Sequence, residues 1–120
     1  MLARQRILVV EDETFIAFDI ALAIEEAHGV VIGPVSKVAE ALELLASNEV
    51  NGAILDVNLA DRDVTPVALL LIKCRIPIVF HTGVGLPAEL AEQYPDLVVC
   101  IKPTSPDRLI GHLRRQMNIA

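Results

Sequence analysis

Ala53-Ile54-Leu55-Asp56-Val57-Asn58 is the stretch that decides the fold. Three apolar residues run into an acid, with an Asn two places on, and Asn51-Gly52 supplies a turn before them. A short apolar run bounded in this way reads as a strand buried on both faces. That is the habit of parallel sheets, whose strands lack the polar alternation of half-exposed ones. Asp56 then stands at the carboxyl end of a central strand, where open α/β sheets hold their ligands. The segment alone leaves a plainer role open, because an Asp closing a strand commonly starts a turn or caps a helix.

The chain on either side repeats the pattern. Ile7-Leu8-Val9-Val10 is a second buried run and ends in Glu11-Asp12-Glu13. Ile16, Ile20, Ala23, Ile24 and Ala27 follow at helical spacing, and the acids ahead of them suit the positive end of a helix dipole. His28-Gly29 closes that helix, with Gly29 expected in the left-handed cap conformation. Val30 to Val35 is the next strand, and Gly33-Pro34 within it predicts an edge position or an early end. Ser36 is the expected cap of a helix carrying Val38, Ala41, Leu42 and Leu45 on one face, and residues 48–52 return the chain to the central strand.

After Asp56, a polar loop over residues 58–63 precedes a helix through Val67, Leu70 and Leu71 to Lys73. Ile76 to Phe80 is the fourth strand, with Pro77 tolerable at its start, and it delivers His81-Thr82-Gly83. A short, weak helix spans Pro87 to Gln93 before Pro95 stops it. Leu97 to Ile101 is the fifth strand and ends at Lys102-Pro103. Ser105, Pro106 and Asp107 open a last helix with Leu109, Ile110, Leu113 and Met117 on its apolar face. Five strands alternating with five helices predict an α/β domain with a parallel sheet.

Composition narrows the function. The 120 residues form one domain, and 53% hydrophobic content excludes disorder. No apolar run approaches the ~18 residues of a membrane span. Glu11-Asp12-Glu13 interrupts the first apolar run too early for a signal peptide. A net charge of −6 repels phosphate backbones, so nucleic acid is an unlikely direct partner. Arg114 and Arg115 are better read as complements to the negative end of the last helix. Cys74 and Cys100 lack metal-ligand spacing, Cys100 reads as a core residue, and a reducing cytoplasm suits both.

In a parallel sheet the strand ends share one edge. Glu11 and Asp12 leave the first strand, Asp56 the third, Thr82 the fourth and Lys102 the fifth. Each has a bland reading as a helix starter, turn residue or surface charge, and their coincidence on successive strand ends is what argues for a site. Carboxylates brought close together repel unless a cation joins them, and Mg²⁺ favours oxygen ligands while keeping waters for phosphoryl oxygens. A carboxylate beside Mg²⁺ and an ammonium is equipped as a nucleophile toward a phosphoryl group, with charge stabilised during in-line transfer. The expected product is an aspartyl phosphate.

The segments Ile7-Leu8-Val9-Val10-Glu11-Asp12-Glu13, Ile54-Leu55-Asp56-Val57-Asn58-Leu59, Phe80-His81-Thr82-Gly83 and Ile101-Lys102-Pro103 resemble the signature of bacterial response regulator receiver domains, in order and spacing. The resemblance implies a flavodoxin-like three-layer α/β sandwich, a five-stranded parallel sheet in the order 2-1-3-4-5 with five helices. It also implies Asp56 as phosphoacceptor, Thr82 as switch hydroxyl and Lys102 as phosphate-binding lysine. Asp12, Asp56 and the Asn58 carbonyl would hold Mg²⁺ (or Mn²⁺), with Glu11 acting through water. The implied donor is a sensor histidine kinase or histidine phosphotransfer protein, and the implied output is a protein target or a homodimer. Residues 1–120 are expected to be a single receiver domain, with no output domain following Ile119-Ala120.

Four positions depart from the commoner pattern. Val99 stands where many receivers carry Tyr or Phe, Gly83 where Ala is commoner, and Ala60 and Val64 where Pro and Gly often stand. The segment Ile78 to Gly85 is similar to an alphaproteobacterial subgroup with Phe-Ala-Thr-Gly-Tyr, though Val84 replaces its Tyr. The switch is therefore expected in the Gly83-Val84-Gly85 loop and the short helix after it, a segment cheap to reorder. Two other functions compete. A Mg²⁺-dependent phosphohydrolase working through Asp56 would want a second acid at Asn58 as general acid and base. A docking receiver would act without phosphorylation.

Overall fold

The computed structural model describes residues 1–118; Ile119 and Ala120, after which no output domain is expected, lie outside them. Strands β1 (Arg6–Val10), β2 (Val30–Val35), β3 (Gly52–Leu55), β4 (Ile78–Thr82) and β5 (Val98–Ile101) alternate with helices α1 (Thr14–Glu26), α2 (Val38–Ser47), α3 (Thr65–Lys73), α4 (Ala88–Gln93) and α5 (Pro106–Gln116). The strands pair in parallel in the order β2-β1-β3-β4-β5. This is the expected flavodoxin-like fold.

Strand pleating divides the apolar runs between two cores. Ile7 and Val9 of β1, Ile54 of β3 and Val79 of β4 face α1 and α5, where they meet Ile20, Ile24, Leu109, Ile110 and Leu113. Leu8, Val10, Ala53, Leu55, Ile78 and Phe80 face α2, α3 and α4, where they meet Val38, Ala41, Val67, Leu71 and Leu90. Both sides of the central strands are dry, as their lack of alternation requires. Cys100 is buried in the first of these cores, and Cys74 is exposed. No described helix is long and apolar enough to cross a membrane.

β2 is an edge strand, as Gly33-Pro34 predicted, and its register against β1 shifts between Leu8 and Val10. Several local expectations are corrected. The left-handed residue after α1 is His28, at φ 65°, not Gly29. Gly29 is needed for closeness: a Cβ there would lie 2.8 Å from both Ile24 Cγ2 and Leu2 Cδ1. Leu2 is wholly buried, held by its N–H to Ala27 O at 2.7 Å, so the leading residues close the end of α1. The first turn of α1 contains no acid, because Glu11, Asp12 and Glu13 all precede it.

Ser36 does not cap α2. Lys37 occupies the cap position without a side-chain bond, and Asp61 reaches in from the loop after β3. Its Oδ1 accepts the Val38 N–H at 2.8 Å and its Oδ2 the Ala39 N–H at 3.2 Å. Leu70 of α3 is exposed, and Ala68 is buried with Val67 and Leu71. β4 begins at Ile78, past Pro77, and runs on to Thr82. Ser105 caps α5 as expected, accepting the Arg108 N–H, with Arg114 and Arg115 in the last turn.

Candidate functional site

The parallel register brings the strand ends together. Glu11 follows β1 directly, and its N–H donates to Val35 O at 2.9 Å. Asp56 follows β3, its N–H donating to Val10 O at 2.8 Å, and Lys102 follows β5, its N–H donating to Thr82 O at 2.8 Å. Each residue is thus fixed by a ladder bond to the neighbouring strand before its side chain does anything. Oxygens of Glu11, Asp12 and Asp56 lie within 4.8 Å of one another.

Lys102 closes this group. Its Nζ lies 3.0 Å from Glu13 Oε2, 3.2 Å from Glu11 Oε1 and 3.4 Å from Asp56 Oδ2. Asp56 Oδ1 accepts the Val57 N–H at 2.8 Å, and Glu11 Oε2 accepts the Glu13 N–H at 3.1 Å. Burial pushes the Glu11 carboxyl up to about 8; the Glu13 N–H opposes this, the adjacent Asp56 adds to it and Lys102 counteracts it. Burial alone would lower the Lys102 ammonium, but the hydrogen bond to Glu13 and the charges of Glu11 and Asp56 outweigh it, and the net direction is up.

Such a donor set fits a hard divalent cation. Glu11 Oε1 is buried and accepts no hydrogen bond among the described residues, leaving Lys102 as its ionic neighbour. Glu11 resists ionising chiefly because it is buried, and the adjacent Asp56 adds to the effect; a cation among these oxygens would offset both. Asn58 is exposed and its backbone bridges to Asp63.

Thr82 is buried beside the site, with its hydroxyl turned toward the following loop. The hydroxyl donates to Gly85 O at 3.3 Å and accepts the Val84 N–H at 3.2 Å. Two neighbours were not foreseen. Glu13 looked like one more acid ahead of a helix, yet it makes the shortest contact to Lys102. His81 is buried on the face of β4 shared with Val79, and its Nε2 accepts the Thr104 N–H at 3.3 Å. Burial, with Lys102 nearby, holds its pKa below the usual imidazole range. Strand alternation was the available signal for His81; nothing in local spacing pointed to Glu13's partner.

A receiver protein from Sinorhizobium medicae, described as a response regulator, superposes with a TM-score of 0.82 at 27% identity, covering 98% of both chains. Structural neighbours of this chain from Leptospira biflexa and Methanospirillum hungatei are likewise receiver domains. Another receiver neighbour, from the sensor histidine kinase PA1611 of Pseudomonas aeruginosa, holds a magnesium ion in its active-site cleft. It matches with a TM-score of 0.80 at 20% identity, over 97% of this chain and 99% of that one. Sensory transduction protein LytT of Bacillus anthracis is 30% identical over 113 residues, or 92% of this chain. The chain spans 46% of the length of LytT. No family model matches the sequence. The receiver fold and these neighbours place the chain's likenesses in two-component signalling.

Proposed function

We propose that this chain is a response regulator receiver that accepts a phosphoryl group on Asp56 and passes the signal on by changing which proteins it binds. The observation that carries the reading is the convergence of Glu11, Asp12 and Asp56 within 4.8 Å, closed by Lys102. The donor is the phosphohistidine of a sensor kinase or phosphotransfer protein in the cytoplasm. An Asp56 carboxylate oxygen attacks phosphorus in line, and the N–P bond breaks with its electron pair leaving on the imidazole nitrogen. Hydrolysis reverses the modification slowly: a water oxygen attacks phosphorus, the P–O bond to Asp56 breaks, and inorganic phosphate leaves.

Asp12, Asp56 and the Asn58 carbonyl would hold Mg²⁺ or Mn²⁺, with Glu11 reached through water. The ion would offset charge between the carboxylates and the phosphoryl oxygens. Lys102 stabilises charge on the transferring group, and Thr82 turns from Gly85 O to donate to the attached phosphoryl. The switch runs through residues 83–85 and α4, because Val99 supplies no aromatic side chain. The similarity of residues 78–85 to the alphaproteobacterial subgroup supports placing the chain near it.

Incubation with Mg²⁺ and acetyl phosphate, followed by intact-mass measurement, tests the reading. The expected result is a labile gain of one phosphoryl group that Asp56→Asn abolishes. Steady phosphate release from varied esters would instead indicate a phosphohydrolase. A fully folded chain that never labels would indicate a docking receiver.

A further inference from the structure

Lys102 is shared among carboxylates with unequal claims on it. Its contact to Asp56 is the longest at 3.4 Å, and its contact to Glu13 is the shortest at 3.0 Å. Glu13 differs from the others in standing at the surface, its side chain 61% exposed, whereas those of Glu11 and Asp56 are buried. It also lies outside the set of acids whose oxygens cluster for a metal. Its backbone is fixed by the Glu13 N–H bond to Glu11 Oε2, so only its side chain need move to release the lysine.

We propose that Glu13 is a positioning residue that competes with the phosphoryl group for Lys102, holding the ammonium toward the solvent side of the site until the modification arrives. The proposal rests on Asp56 being the phosphoacceptor. A phosphoryl group on Asp56 adds nearly two negative charges and three acceptor oxygens at a buried position. An exposed carboxylate cannot match that for the same ammonium, because its ion pair is weakened by water and salt. Lys102 therefore transfers from Glu13 to the phosphoryl group, and Glu13 swings into solvent. The cost of breaking this contact reduces the affinity of the site for the modification. Glu13 thus sets how readily the domain accepts and keeps its phosphoryl group, without touching the reacting atoms.

Glu13→Gln keeps the shape and removes the charge; Glu13→Asp restores it on a shorter stem. Asp19 lines a cavity with Lys102 but makes no ion pair to it in the structure, so Asp19→Asn controls for the loss of a nearby charge. The readout is affinity for beryllofluoride with Mg²⁺, measured at low and at high salt. Glu13→Gln is expected to tighten beryllofluoride binding about two- to fivefold, the range of an exposed ion pair. The gain should shrink in high salt, Glu13→Asp should fall between Gln and wild type, and Asp19→Asn should do less than Glu13→Gln. Unchanged or weaker beryllofluoride binding in Glu13→Gln, or an equal gain in Asp19→Asn, overturns the proposal. A wild-type chain that takes no phosphoryl group from acetyl phosphate overturns the underlying reading, whatever Glu13 does to the lysine.

Discussion

Two loops border the candidate site and are held in opposite ways. The loop after β3, which follows Asp56, is tied along its whole length. Asp61 grips the start of α2, Ala60 N–H donates to Ser36 O at 3.3 Å, Asn58 bridges to Asp63, and Val64 N–H donates to Val57 O at 2.8 Å. In the loop after β4, the Thr82 hydroxyl bonds to Val84 and Gly85. There Val84 is 78% exposed, Gly83 has open space around it, and the helix that follows has six residues. Most of the bonds that hold the first loop do not involve the Asp56 side chain. The other hangs on the hydroxyl that the proposed phosphoryl group would recruit.

The largest expected effect follows from that contrast. In the free protein the Val84 amide should exchange at least about tenfold faster than the Val64 amide, since local opening is cheap where few contacts must break. Beryllofluoride with Mg²⁺ should then alter protection mainly across residues 82–95 and leave Val38, Ala39 and Val64 nearly unchanged. Hydrogen exchange read by NMR checks both statements. Changes concentrated in residues 57–64 would place the switch in the wrong loop.

The same contrast marks what the sequence could disclose. The parallel sheet was legible because apolar runs without alternation call for a doubly covered sheet, which puts every strand's carboxyl end on one edge, whereas the strand order came only from the family resemblance. Glu11, Asp12, Asp56 and Lys102 therefore met as expected. Contacts that cross from one loop to another were not legible. Ser36 is an ordinary cap residue beside α2, yet the carboxylate of Asp61, 23 positions beyond the Val38 N–H that it accepts, takes its place because the β3–α3 loop passes over that helix end. Glu13 and Lys102 pair across 89 positions by the same kind of accident of path. His28, not Gly29, took the left-handed conformation, and Gly29 stands instead where Leu2 and Ile24 leave no room for a Cβ. Local spacing records which residues suit a turn, and says little about what will be packed against it.

A smaller effect separates the two glycines of the loose loop. Gly85 sits at φ +88°, whereas Gly83 is not in the left-handed region, and a Cβ at either would meet nothing within 4 Å. Gly85→Ala should therefore lower stability by about 1 kcal/mol through backbone strain alone. Gly83→Ala should stay within about 0.5 kcal/mol of wild type. Urea denaturation distinguishes them, and equal effects would show that the loop adjusts its backbone freely.

The smallest effect belongs to the tied loop and depends on pH. The Asp61 carboxyl lies below its usual range, chiefly because it accepts the Val38 N–H, with the Ala39 N–H acting in the same direction. A carboxyl depressed on folding binds its proton more readily in the unfolded chain, so it adds stability above its unfolded pKa and loses it as pH falls through the folded value. Asp61→Asn offers one carbonyl oxygen where the carboxylate used two, and it removes the charge at the positive end of α2. The variant should melt slightly below wild type at neutral pH, with faster exchange at Val38 and Ala39. The gap should hold from pH 8 to about pH 5 and narrow below about pH 4, where the unfolded chain begins to take up the proton that folded Asp61 resists. A gap that stayed constant down to pH 2 would mean that the tether works through shape rather than charge. The firmness of the β3–α3 loop would then owe nothing to electrostatics.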